Sequence, residues 1–212
     1  MRLRLRRSPA VVVTAVVALA TLGACGGTGP DTRSTANGRP AATAPGSSVS
    51  TTQGGVEPCT FSGATAATEG GANSATRLLT DVRAGVHDCF ERVTFEFKPM
   101  PGDADGPVAW KVGYETGPIT EDGSGRPVAV KGDAHLVVHL SAQSADLTKA
   151  DAPPTYTGPT SLQAAGSTRI LQVRKTGDFE GYITWVLGLD RQRPFKVTTG
   201  DNPARVIVDV GD

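Results

Sequence analysis

Cysteine, histidine and aromatic side chains are all scarce in this chain, which has 3 Cys, 3 His, 2 Trp, 3 Tyr and 6 Phe among 212 residues. So few histidines and cysteines leave little from which to assemble a metal cluster or a thiol nucleophile. No serine sits in a Gly-x-Ser-x-Gly elbow, so hydrolysis has no evident nucleophile either. Net charge is missing as well: 21 Lys+Arg balance 21 Asp+Glu, and no overall field draws the chain toward nucleic acid. Sustained helical periodicity is absent. What the chain has in quantity is glycine and proline, 26 and 15 residues, many of them in the N-terminal third and the rest placed as punctuation between alternating apolar runs.

The N-terminus reads as an export leader. Arg2, Arg4, Arg6 and Arg7 form a basic segment, Ala10 to Leu22 is apolar and uncharged, and Leu22-Gly23-Ala24-Cys25 closes it. The apolar run is shorter than the roughly 20 residues that a membrane-spanning helix needs. A permanent transmembrane helix is therefore the weaker alternative. Leu-Gly-Ala-Cys resembles the bacterial lipoprotein signal, which implies that Met1–Ala24 is removed and that Cys25 carries diacylglycerol. Arg6-Arg7 is followed by Ser8-Pro9, a poor fit to twin-arginine export. From residue 25 to 55 the chain is Gly, Thr, Ser, Ala and Pro with few large apolar residues, too little to bury a core. As a flexible coil of about 30 residues this tether spans about 30 Å; an unmodified spacer is expected, with an O-glycosylated stalk as the alternative. The expected location is the outer face of the cell membrane, with residues 56–212 forming the folded domain.

With Cys25 assigned to lipid, Cys59 and Cys89 remain in a compartment where disulfides persist. A Cys59–Cys89 bridge is expected; two free thiols or a metal pair are the alternatives. In the chain-entropy model, closing a loop of about 30 residues is worth roughly 3.5 kcal/mol. The bridge would pin the segment Thr60 to Thr76 against the first strands of a sheet.

Strand signals fill the remainder. Arg92 to Phe97 alternates, placing Val93, Phe95 and Phe97 on one face, and Lys98-Pro99 stops it. Similar alternation marks Trp110 to Tyr114, His135 to Leu140 and Arg205 to Val210. Glu121 to Gly125 and Thr199 to Pro203 carry turn residues. Further strands are expected at Arg169 to Arg174, Tyr182 to Leu189 and Phe195 to Val197, with a connection opening at Lys175-Thr176-Gly177-Asp178. Ser161 to Ser167 is long enough for one helical turn and no more, because Gly158-Pro159 and Gly166 flank and interrupt it. Many short strands separated by turns mean a sandwich or a barrel.

Several short motifs occur in a fixed order. Leu79 to Arg83 and His87-Asp88 precede Cys89 to Phe97, and Gly123 to Val128 precedes Gly132-Asp133-Ala134. Gly181-Tyr182 through Gly188-Leu189, Arg193-Pro194-Phe195 and Arg205 to Asp209 complete the series. Together they resemble the AMIN-like domain of actinobacterial lipoproteins, over roughly Arg77 to Val210. The resemblance implies an all-β fold, an antiparallel sandwich outside the cytoplasm, with no known catalytic centre. It also implies a kinship with AMIN domains, which are thought to engage peptidoglycan. It supplies no list of binding residues. AMIN domains proper usually accompany an amidase or a secretion pore, and no second module fits in this chain.

His135 and His139 lie four apart, but on a strand their positions are about 13 Å apart, too far to share a metal, so both are expected on the solvent face. His87-Asp88 are adjacent and on a strand would point oppositely. Asp122-Gly123-Ser124-Gly125 with Arg126 would serve as an anion cradle or, more simply, as a hairpin turn, since phosphate loops open helices. Trp110 and Trp185 are either core residues or a platform that stacks on sugar rings. Trp110, Arg126 and Trp185 are thus the candidate ligand-binding residues; no catalytic residue, metal ligand or cofactor is expected. The expected partners are the membrane, through the lipid, and either peptidoglycan or, alternatively, another envelope protein for which the chain is an adaptor.

Overall fold

Each alternating run presents an apolar face that must be covered, and the chain does this by laying two sheets face to face. The computed structural model describes residues 59–72 and 76–212, so the leader, Cys25 and the tether lie outside the described residues. In chain order the strands are β1 (Thr68–Gly70), β2 (Arg77–Val86), β3 (Phe90–Lys98), β4 (Trp110–Glu115), β5 (Ala134–Leu140) and β6 (Ala142–Gln143). They continue as β7 (Ser161–Leu162), β8 (Ile170–Phe179), β9 (Tyr182–Leu189), β10 (Phe195–Gly200) and β11 (Ala204–Gly211). No helix occurs among the described residues. One sheet has the order β1-β4-β5-β9-β8-β7 and the other β10-β11-β3-β2-β6. All pairings are antiparallel except the short β2–β6 pair. The expected all-β antiparallel sandwich is the observed fold.

The core lies between the sheets. Val93, Phe95 and Phe97 of β3, with Val206, Val208 and Val210 of β11, meet Leu136, Val138 and Leu140 of β5 and Ile183, Trp185 and Leu187 of β9. All twelve are essentially inaccessible to water. At about 1.5–3 kcal/mol for each large apolar side chain, this face-to-face burial is the main source of stability. On the outer side of the second sheet, Arg92 and Asp209 are cross-strand partners joined by two hydrogen bonds, of 2.7 and 2.8 Å, that reinforce the β3–β11 register.

Cys59 and Cys89 form the expected disulfide, with Cα atoms 5.1 Å apart. It ties the segment before β1 to the turn between β2 and β3. The segment then follows both sheets: Ala64 bridges to Phe195 at the start of β10, and β1 pairs with β4.

Four local expectations need correction. Lys175 to Asp178 is not a connection; β8 runs through it, bending at two bulges, and turns only at Glu180-Gly181. Ser161 to Ser167 makes no helical turn, because Ser161 and Leu162 pair with Arg174 and Val173 as an edge strand. β10 continues beyond Val197 to Gly200. His87 and Asp88 are not on a strand but in the β2–β3 turn, where the His87 ring stacks on Phe90 at 4.6 Å.

Candidate functional site

The outer face of the six-stranded sheet is where the chain departs from a plain sandwich. Alternation turns Lys111 and Glu115 of β4, His135, Val137 and His139 of β5, and Thr184 and Val186 of β9 away from the core. The excursion between β4 and β5, residues 116–133, folds back over part of this face. Its Ile119 is buried, its Asp122 N–H donates to the Thr176 carbonyl at 3.2 Å, and its Lys131 N–H donates to Gln172 at 2.9 Å. Two glycines make room for it. A Cβ at Gly177 would stand 1.7 Å from the Asp122 carboxylate, and one at Gly188 would stand 1.8 Å from the Lys131 carbonyl oxygen.

The excursion covers the face only as far as His139. Beyond it a groove of about 490 Å³ opens, lined by Glu69, Gly70, Trp110, Lys111, His139 and Tyr182 among others. Tyr182 is 49% exposed, while Trp110 shares the inward parity of Val112, is partly buried against the core, and borders the groove with its ring against Gly70. Glu69 and Lys111 are register partners on β1 and β4, and neither is engaged in an ion pair or side-chain hydrogen bond among the described residues. One exposed aromatic ring, Tyr182, beside an unpaired carboxylate and an unpaired ammonium suits a ligand with both an apolar face and hydrogen-bonding groups. A second recess, of about 540 Å³, lies at the far end of β4. Its one aromatic residue, Tyr114, has its hydroxyl committed to the Arg193 carbonyl at 2.6 Å.

His139 is the junction between the groove and a smaller space of about 150 Å³ beneath the excursion. Its Nδ1 lies 3.1 Å from Thr184 Oγ1, and the Thr184 hydroxyl donates to Asp122 at 2.6 Å. Because that hydroxyl proton is already given to a carboxylate, Nδ1 must be the donor to Thr184. Nε2 is therefore left as an acceptor. Burial lowers the pKa of His139; Asp122 opposes this, Lys111 adds to it, and Glu115 opposes it, with a net lowering.

The three sequence candidates separate. Trp110 lines the groove. Arg126 lies outside it, exposed, its guanidinium held by Glu121 at 2.7 and 2.9 Å. The adjoining turn is a hairpin turn, closed by a hydrogen bond from the Gly125 N–H to the Glu121 carbonyl at 2.9 Å. Trp185 is wholly buried, with Phe95 and Tyr156 each 5.9 Å away, and presents no surface on which a sugar ring would stack. Tyr182, His139, Lys111 and Glu69 are the groove residues that sequence reasoning did not select. Strand parity would have found one of them: Trp185 shares its parity with Ile183 and Leu187, which face inward, whereas Tyr182 faces outward with Thr184.

One further cluster has a catalytic appearance. Lys175 donates to Ser144 and to Asp178 at 2.6 Å each, and the Ser144 hydroxyl donates to Asp178. An ion-paired ammonium has no lone pair with which to take the serine proton, so the cluster clamps the segment after β6 to β8. Among the described residues no group of three or more His, Cys, Asp or Glu is placed to hold a metal.

A two-layer β-sandwich with a groove on one outer face defines a class, a β-domain with a surface recess suited to binding. Residues 77–212 match the AMIN-like domain model, and the chain belongs to that family. No curated protein and no solved structure matches it.

Proposed function

We propose that this protein is a lipid-anchored, extracytoplasmic binding module without catalytic activity, and that it holds cell-envelope material, foremost peptidoglycan, in the groove lined by Tyr182, Glu69, Lys111 and His139. The observation that carries this reading is the exposed Tyr182 ring beside the unengaged Glu69 and Lys111 on the open part of the sheet. Membership of the AMIN-like family and the leader ending at Cys25 support the envelope setting. Anchoring through two acyl chains holds a protein stably, where one would not. Cys25→Ala should shift the protein from the membrane fraction to the soluble or precursor pool; fully processed protein that still fractionates with membranes removes the anchor from this account.

Co-sedimentation of the full chain, in detergent, with isolated sacculi tests the binding claim. Saturable binding is expected, weakened roughly tenfold by Tyr182→Ala, in line with the loss of one aromatic contact and its buried area. Phe179→Ala, on the same hairpin but outside the groove, should leave it unchanged. Equal binding by both variants, or none by the parent, counts against the reading. The alternative, an adaptor for another envelope protein, draws on β10, an edge strand whose outer side is bridged only at Phe195 among the described residues.

A further inference from the structure

We infer that His139 is the specificity-determining residue of the groove, an oriented hydrogen-bond acceptor that selects a neutral N-acetylated sugar by accepting from one of its hydroxyl or acylamino N–H groups. This inference rests on the groove reading above and gives it a ligand class. The geometry consists of a relay and a position. Asp122 accepts from Thr184, Thr184 accepts from Nδ1–H of His139, and the ring is thereby held in one tautomer and one orientation. Nε2 points away from Thr184, has no partner among the described residues, and belongs to a side chain that lines the groove. A carboxylate-bound hydroxyl two bonds back is the arrangement that fixes a histidine for recognition, since an unanchored ring would present a donor as readily as an acceptor.

The surroundings favour this neutral acceptor. Lys111, the register partner of His139 on β4, places an ammonium beside the ring and disfavours a second positive charge there. Asp122 on the excursion and Glu115 on β4 act in the opposite sense, and Glu69 on β1 and Tyr182 on β9 complete the groups around the groove. Burial and Lys111 prevail, and the ring titrates below the usual histidine range. At neutral pH it is uncharged and accepts; below its pKa both nitrogens carry protons and the acceptor is gone. A sugar that donates to Nε2 is therefore bound at neutral pH and released on acidification. A carboxylate ligand would behave in the opposite way, gaining a partner as the ring charges.

The test is calorimetric titration of the full chain, in detergent, with a β-1,4-linked N-acetylglucosamine tetramer at pH 7.5 and pH 5.0. Affinity should be weaker at pH 5.0, approaching about five-fold, the worth of one hydrogen bond, as the ring becomes fully protonated. His139→Asn keeps a donor toward Thr184 but has no group at the Nε2 position, and should be weakened to a similar extent at both pH values. His139→Gln restores an acceptor that does not titrate, so it should recover most of the neutral-pH affinity and flatten the pH profile. A pH-independent parent, or a His139→Asn variant with unchanged affinity, overturns the inference while leaving sacculus binding standing. Sacculus binding without tetramer binding, or tighter binding at pH 5.0, overturns the ligand class and points to a carboxylate-bearing component. Loss of all binding to sacculi is the separate result that removes the underlying reading.

Discussion

Glu91→Ala is expected to destabilise the domain by at least about 3 kcal/mol, a large share of the marginal stability of a domain this size. Glu91 is 1% exposed and lies on the inward-facing parity of β3, where every neighbour in register is apolar. Its carboxylate is tolerated because the segment leading into β8 wraps around it. Oε1 accepts from the N–H groups of Thr168 at 2.8 Å and Arg169 at 3.1 Å, and Oε2 accepts from Ile170 N–H at 2.7 Å and the Ser167 hydroxyl at 2.5 Å. The Arg169 guanidinium stands 3.8 Å away. Removing the carboxylate strands those donors in a site that water does not reach, which costs more than the net worth of the bonds themselves. Thermal unfolding should fall by roughly 6–12 °C for such a loss in a domain of this size. Glu91→Gln should also be destabilised, because one of its two atoms becomes a donor facing donors. Burial raises the Glu91 pKa, but the bonds from Ser167, Ile170, Thr168 and Arg169 outweigh it and hold the pKa below the usual carboxylate range. The folded pKa is lower than the unfolded one, so this stabilisation is complete above the unfolded value near 4.3 and is lost as pH falls through the folded value. The parent should therefore lose stability on acidification below about pH 4. The Glu91→Ala variant should lose less over that window, which paired melts at several pH values would show. Equal slopes would remove Glu91 from the acid response.

Trp185→Ala should cost about 3–5 kcal/mol, the range for truncating a large aromatic residue in a packed core. The ring fills the centre of the sandwich between Phe95 on the facing sheet and the Tyr156 ring, which meets it edge to face. No rearrangement of β-branched neighbours fills that volume. Trp185→Phe should recover about half of the loss. Because Trp185 does not reach the groove, a Trp185→Phe protein that folds should bind sacculi with the affinity of the parent. Denaturant melts and co-sedimentation of the same preparation separate the two effects, and a folded Trp185→Phe variant that does not bind would return Trp185 to the binding surface.

How much of this was legible follows from where the alternation is regular. β3, β4, β5 and β11 have alternating patterns from which their positions follow, whereas β9 is apolar almost throughout and buried from Ile183 to Leu189. β2 breaks the pattern: Leu79 and Val82, three apart, both reach the core because a bulge between Leu79 and Asp81 resets the register, with the Thr80 hydroxyl donating to the Glu96 carbonyl across it. β8 hides its second half in the same way, since Lys175-Thr176-Gly177 reads as a turn when the bulge is not anticipated. The groove was legible only at Trp110. Its other residues come from β1, β4, β5 and β9, and only the strand order β1-β4-β5-β9 places Glu69, Lys111, His139 and Tyr182 side by side. The Asp122–Thr184–His139 relay was hidden for the same reason, because two close glycine approaches on β8 and β9 are needed to bring Asp122 down onto the sheet.

Hydroxyl-radical footprinting of the full chain, with and without soluble fragments of muramidase-digested peptidoglycan, tests the central claim most directly. The account predicts protection of Tyr182 and of the Trp110 edge that rises with fragment concentration, with Phe179, 52% exposed on the same hairpin, unaffected. Protection confined to β10 or to Phe179, or none at saturating fragment, would contradict it.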